Sequence, residues 1–493
     1  MKKYKLLALV ASVFLAGCAT TMGPQGTQAP ADTARQAQAP LPAVIPSGPL
    51  SAIEPSELTS RTVAALEPPP DLWNRIRAGF KMPELDNDLV RRHEQWYSSR
   101  PDYIQRMTDR SRKYLFHIVE ELERRNMPTE LALLPFIESA FNPQAVSSAR
   151  AAGMWQFMPA TGQYFDLKQN FFRDDRRSVL ESTRAALDYL QKLHGMFGDW
   201  HLALAAYNWG EGNVGRAIAR NQRAGLATGY DDLRMPAETR NYVPKLQAVK
   251  NIVLNPEQFS AELPLIENHP YFQSVAITRD MDVELAARLA DVPLEDFRAL
   301  NPQLNRPVIL AAGTPQILLP WDNATVFKRN FDDYSEGKYA SWTAWSAPRT
   351  MSVSEAARRV GMEEDQLRTI NSIPPRMLIK SGSVLIVPRR SEAADVASHL
   401  AENGQLNLAP EARTQRKVIR AGKRDTVATI ARRYRLSAAQ VADWNDVGTS
   451  ARFKAGQRIV LHVPVRSVRA TAKGKSPVRA ASRKSSVQKK KRR

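Results

Sequence analysis

The chain reads as multidomain: a mainly α-helical domain followed by small α+β modules of βααβ order. Three observations predict this. From 69 to 260, apolar residues recur every three or four positions, as on the buried face of helices. Beyond 270, short apolar strands flank paired helical stretches. There the sequence also repeats itself: residues 353–371 align without gaps to 427–445, an offset of 74 that persists through Lys380-Ser381-Gly382 and Lys454-Ala455-Gly456. At 493 residues the chain holds several domains, and with 43% hydrophobic residues it can bury sizeable cores.

The first segment is a leader. Lys2, Lys3 and Lys5 precede an apolar stretch over 6–15, then Ala16-Gly17-Cys18. That run is half the length of about twenty residues that a membrane-spanning helix needs, so 1–18 reads as a signal peptide. Leu15-Ala16-Gly17-Cys18 resembles the bacterial lipoprotein box. The resemblance implies cleavage before Cys18, lipidation of that residue and, with Ala19 and not Asp next, an outer-membrane lipoprotein facing the periplasm of a Gram-negative bacterium. Acyl chains contribute about 0.8 kcal/mol per buried CH₂. Cys18 is the only cysteine, which excludes an intrachain disulfide. Residues 19–68 are rich in Pro, Ala and Gln without period and read as a tether, with a reach of roughly 40 Å.

The helical domain spans 69–260. Ile104, Met107, Tyr114, Leu115, Ile118, Val119 and Leu122 predict one amphipathic helix over 101–125 with a polar gap at Ser111. Pro128 suits the start of the next helix, and Pro135 should kink it. Helices follow over 181–197, 201–207, 214–219 and 238–254, with Gly210, Gly212 and Gly215 as breaks.

The stretch that carries chemistry is 129–165. An apolar run through Leu131, Leu133, Leu134, Phe136 and Ile137 ends in Glu138-Ser139, and a small-residue loop leads to Gly153-Met154-Trp155-Gln156-Phe157. A carboxyl at the end of an apolar segment, if desolvated, can keep its proton near neutral pH, which suits a general acid; the alternative is a helix-end carboxylate facing water. Glu138-Ser139, Gly153-Met154-Trp155-Gln156, Ala206-Tyr207-Asn208 and the late Tyr242 together resemble, in order, the motifs of the lytic transglycosylases with a goose-lysozyme-like fold.

That resemblance implies a lyase acting on peptidoglycan glycan strands, with Glu138 catalytic. Ser139 would orient the acid or the substrate, and Gln156 and Asn208 would contact sugar. Tyr207 and Tyr242 would position Glu138 through their hydroxyls. Met154, Trp155 and Phe157 would supply apolar surface to the rings, although Trp155 and Phe157 suit a core equally. No cofactor or metal is implied; His117 and Glu121 form only an isolated pair. Ordinary glycosidases use two carboxylates, and Asp166, Asp174 and Asp175 lie in no second catalytic motif. Two alternatives remain: a water-using muramidase, or a non-catalytic peptidoglycan-binding anchor.

The repeats resemble the LysM fold, a module that binds N-acetylglucosamine-containing glycans. One copy occupies 416–464; two degenerate copies at 270–322 and 340–390 lack the family's signature and read equally as spacers, with a linker over 391–415. The formal charge is +20, but twelve unopposed Lys and Arg lie in 465–493, leaving +8 elsewhere. This tail has no apolar period and reads as disordered. In an exported protein it reads as attracted to acidic wall or lipid groups, or as merely solubilising, and no nucleic acid is expected.

Overall fold

The computed structural model describes residues 71–335, 337–390, 394–411 and 414–464. The expected leader with Cys18, the tether over 19–68 and the tail over 465–493 lie outside the described residues. Among the described residues, no helix is long and apolar enough to cross a membrane.

The first domain is helical, and local chemistry sets its boundaries. Asp71 caps the helix Leu72–Ala78 by accepting from the Trp73 amide at 3.1 Å. Ser178 opens Val179–Phe197, which Gly198 ends in the left-handed region, and Asp199 opens Trp200–Trp209. Ala185, Ala186, Tyr189, Leu190 and Leu193 are all buried, as their spacing predicts.

The helix Tyr242–Leu254 is the hub of the domain, with ten of its thirteen residues buried. Its Lys250 is buried too, and is tolerated because Glu84 and Glu130 sit at 2.6 and 3.2 Å. Glu130 in turn accepts from the amides of Lys81 and Met82.

Three local expectations change. The helix predicted over 101–125 is two, Pro101–Ser111 and Leu115–Arg124. The break falls at the polar gap, where the buried Ser111 hydroxyl turns back to the Thr108 carbonyl at 2.6 Å. Pro135 does not kink a continuous helix. A 3₁₀ helix, Thr129–Leu133, gives way to Leu134–Ser139, and Pro135 stands in the first turn of the latter, where its missing N–H is harmless. Of the three glycines, only Gly210 is a break, at φ 91°; Gly212 and Gly215 lie inside Glu211–Arg223.

Three βααβ modules follow. The outer strands pair antiparallel as Phe272–Ala276 with Gln316–Pro320, Trp342–Ser346 with Val384–Pro388, and Thr414–Arg420 with Arg458–Pro464. One side chain recurs in all three. Asn301, Asn371 and Asn445 stand at or just past the end of the second helix, and each grips the closing strand with both ends of its amide. Asn371 donates to the Ile386 carbonyl at 3.0 Å and accepts the Ile386 amide at 2.6 Å. Asn301 does the same with Leu318, and Asn445 with Val460. The helix–strand junction thereby satisfies backbone groups that the strand pairing leaves over.

The stretch 391–415 is more than the expected linker. It contains the helix Ser398–Asn403 and the strand Leu408–Pro410, which pairs with Met377–Ile379. It also fastens the modules to the helical domain. Asn170 donates to the carbonyls of Ala401 and Glu402, and the Phe171 amide to that of Gly404 at 2.9 Å. Phe171 and Phe172 enter one apolar cluster with Val308 and Leu310 of the first module and Val384 and Ile386 of the second. The third module closes a core of its own around Val427, Ile430, Val441 and Ile459.

Replacing Asn371 with Ala strands the Ile386 N–H and C=O inside the module. This costs about 2–4 kcal/mol. Hydrogen exchange should show the strand Val384–Pro388 losing protection while Tyr242–Leu254 keeps it.

Candidate active site

Glu138 is the fifth residue of the six-residue helix Leu134–Ser139. Leu131, Leu133, Leu134 and Phe136 are buried ahead of it, which leaves Ile137, Glu138 and Ser139 half-buried at the open end. The chain then turns sharply. Ala140 and Phe141 both adopt left-handed backbone, at φ 50° and 54°, which is uncommon for residues that are neither Gly nor Asn. The Phe141 amide closes the helix end on the Pro135 carbonyl at 3.0 Å, and its buried ring stands edge-on to Phe136 at 4.5 Å between centroids. Burial of that ring offsets the strain.

The carboxyl of Glu138 accepts a hydrogen bond from the Tyr242 hydroxyl. Tyr242 is the first residue of the hub helix, so a largely buried element holds the donor. Loss of hydration raises the Glu138 pKa from 4.5 to about 7. The Tyr242 hydrogen bond opposes this, the charge of Glu238 adds to it, and Lys245 opposes it. Although the residue keeps some exposed surface, the carboxyl itself is closely surrounded. Burial, and next the neighbouring Glu138, hold the Tyr242 hydroxyl well above its ordinary range, so it remains a donor.

The other candidate residues assemble around this pair, but several act otherwise than expected. Tyr207 donates to the Trp155 carbonyl at 2.9 Å and not to Glu138. Its ring leans on Tyr189 at 5.5 Å. Ser139 donates to the Met154 carbonyl at 3.0 Å, tying the acid-bearing helix to the glycine turn. The Gln156 amide is engaged within that turn, donating to the Gly153 carbonyl at 2.7 Å. Asn208 accepts from Thr239 at 2.8 Å, anchoring the segment that leads into Tyr242.

Met154, Trp155 and Phe157 are core residues, at 0, 0 and 3% exposure, so they offer no surface to a sugar ring in this state. Large apolar side chains gain roughly 1.5–3 kcal/mol by burial, and the turn drives all three inward. The indole N–H of Trp155 is satisfied by Thr183.

Gly153 cannot be replaced without moving backbone. It sits at φ 86°, and a Cβ there would lie 1.9 Å from the Arg176 carbonyl oxygen. The Arg176 guanidinium then spans the turn, donating to the carbonyls of Arg150 and Phe157 and pairing with Asp174 at 2.7 Å. Asp175, raised to about 6 by burial, lies 3.5 Å from Arg173 and accepts from the Lys168 amide. Both acids thus serve the hairpin over 168–178. His117 and Glu121 divide: Glu121 pairs with Arg124 and Arg125, while burial lowers the His117 ring to about 4 and keeps it neutral. Sequence reading missed Glu238 and Lys245, the charges that tune Glu138; Lys245 lies three residues beyond Tyr242.

The raised pKa has a stability consequence. Between pH 4.5 and about 7 the unfolded chain releases a proton that the folded chain retains, so folding weakens across that window and no further above it. Glu138→Gln lacks this loss. The variant should match the parent near pH 4.5 and exceed it above pH 7 by up to about 3 kcal/mol, read from thermal unfolding midpoints across pH.

The sequence has counterparts among known proteins. Residues 117–227 match the transglycosylase SLT domain, 271–336 the LysM-like domain of lytic transglycosylase MltD, and 353–388 and 420–462 the LysM domain. Membrane-bound lytic murein transglycosylase D of Escherichia coli K12 is 30% identical over 474 residues, 92% of this chain and 97% of its own. The protein of the same name from E. coli O6:H1 gives the same figures. A solved structure of an inactive mutant of the lytic transglycosylase Slt from Pseudomonas aeruginosa is 23% identical over 30% of this chain and 25% of its own, at a TM-score of 0.23. The chain belongs to the family of membrane-bound lytic murein transglycosylase D.

Proposed function

We propose that Glu138 serves first as general acid and then as general base in the lytic transglycosylase reaction of this family. The substrate is peptidoglycan, cleaved between N-acetylmuramic acid and N-acetylglucosamine. Neutral Glu138 protonates the glycosidic oxygen as that bond breaks, and the substrate's own acetamido group stabilises the positive charge developing at the anomeric carbon. The ionised carboxylate then takes the proton of the C6 hydroxyl of the same muramic acid. Its oxygen bonds to the anomeric carbon, leaving a 1,6-anhydro end. Glu138 regains its proton and no water is consumed.

One observation carries this reading. Glu138, in the motif position, has a pKa of about 7, so it can give a proton and recover one at neutral pH. The Tyr242 hydroxyl supports the charged state by donating to the carboxylate, while desolvation supports the neutral one. Ser139, Gln156, Tyr207 and Asn208 then work chiefly by holding the acid helix, the glycine turn and the Tyr242 segment in register. The third repeat is the candidate N-acetylglucosamine-binding module. Cys18 is the candidate lipid anchor, placing the enzyme on the periplasmic face of the outer membrane.

Mass spectrometry of digested sacculi tests the reaction. Anhydro-muropeptides are expected, and Glu138→Gln should lower their rate at least about a thousandfold, the upper range of what proton transfer supplies being near 10⁴, with circular dichroism unchanged. Reducing-end muramic acid in their place would establish hydrolysis. Because the neutral acid is required, the wild-type rate should fall as pH rises through about 7. Tyr242→Phe removes the bond that lowers the Glu138 pKa, so that limb should move to higher pH.

A further inference from the structure

A cavity of about 620 Å³ lies at the seam between the helical domain and the first LysM-like repeat. Ligand sites commonly occupy this size range. One wall is the chain just past the acid, from Phe141 to Gln144. The other is the helix Leu294–Leu300 of the repeat. The two walls are pinned together. Tyr114 donates to the Ala299 carbonyl at 2.9 Å, Lys113 meets Asp296 at 2.5 Å, and Gln144 reaches the Pro302 carbonyl at 3.4 Å. The cavity is therefore preformed and stands within a few residues of Glu138 along the chain.

Its lining combines apolar surface with positive charge. Leu294 and Ala299, both half-buried, supply the former; Arg110, Lys113 and Arg298 supply three cations against the single carboxylate of Glu295. Lys113 is occupied by Asp296. No carboxylate pairs with Arg298 or Arg110 among the described residues, and Arg110 makes only a long bond, 3.4 Å, to the Ala140 carbonyl. Unpaired guanidinium groups beside an apolar floor suit a ligand that carries carboxylates on a short, small-residue chain.

We propose that this seam is a binding site for the acidic stem peptide of the substrate. This deepens the peptidoglycan reading and rests on it. The first repeat then contributes one wall of the substrate site and no independent sugar-binding module. Occupation by a peptide would bear on the strained turn at Ala140 and Phe141, and so on the helix that carries Glu138. Arg298 acts here as a specificity residue, remote from the reacting atoms.

The test compares full-length enzyme on peptide-bearing strands and on strands stripped of peptide by an amidase. Wild type should process peptide-bearing strands several-fold faster. The exposed Arg298→Glu substitution should abolish that preference, about a five- to tenfold effect for one charge reversed at a rim, with the stripped-strand rate unchanged. Calorimetric titration with synthetic N-acetyl-L-Ala-γ-D-Glu-meso-diaminopimelyl-D-Ala, which carries three carboxylates and one ammonium, reads the pocket without catalysis. Wild type should bind it, while Arg298→Glu, or a tetrapeptide with amidated carboxylates, should bind at least about fivefold more weakly. An unchanged substrate preference in Arg298→Glu, or no tetrapeptide binding by wild type, would overturn the proposal. Absence of anhydro products from both kinds of strand would instead overturn the reaction assigned to Glu138, since the titration does not depend on it.

Discussion

The carboxyl of Glu138 and the hydroxyl of Tyr242 come from segments more than a hundred residues apart, and the domain is built so that they meet. Two opposing influences act on that carboxyl. Desolvation favours its neutral form, and the tyrosine bond favours the charged one; the balance leaves it near neutrality. Either influence alone would fix the group in one state. The hub helix matters because it fixes the position of the second influence: its first residue is the donor, and most of its remaining length is buried.

Behind the pair stands a chain of braces. Ser139 holds the glycine turn, and the turn is backed by Arg176 where only glycine fits at 153. Arg176 belongs to the hairpin whose Phe171 and Phe172 are embedded among residues of both degenerate repeats. The Asp174 amide donates to the Gln303 carbonyl and the Asn305 amide to that of Phe172, so the hairpin is also stitched to the first repeat through its backbone. The geometry of the candidate proton-transfer site is thus supported from a distance by modules whose sequences resemble sugar binders.

Much of this was legible in the sequence. The ordered motifs singled out Glu138 and Tyr242, which the fold brings into contact, and the 74-residue offset located two repeats and the strands that close them, although not which strands pair. What failed has physical causes. Met154 and Phe157 adjoin functional residues, but an apolar side chain beside a motif does not declare whether it faces cleft or core; the left-handed backbone at Gly153 and Gln156 decided it. Tyr207 was given the wrong acceptor because a hydroxyl's partner depends on where another backbone passes. The stretch over 391–415 looked like a connector because its strand pairs with Met377–Ile379 and its helix leans on Asn170, both long-range matches that composition cannot encode. The asparagine clamp did leave a signal, since Asn301, Asn371 and Asn445 stand at one register of the repeat.

The shared apolar cluster also governs how the polypeptide can be divided. Phe171 and Phe172 bury their rings only when both degenerate repeats are in place, so a version shortened after residue 260 would present two adjacent bare aromatic rings to water. Exposed patches of that kind promote self-association. The helical domain and its two nearest modules are therefore one block for refolding and engineering, and a soluble fragment is to be sought by cutting after the second module's closing elements.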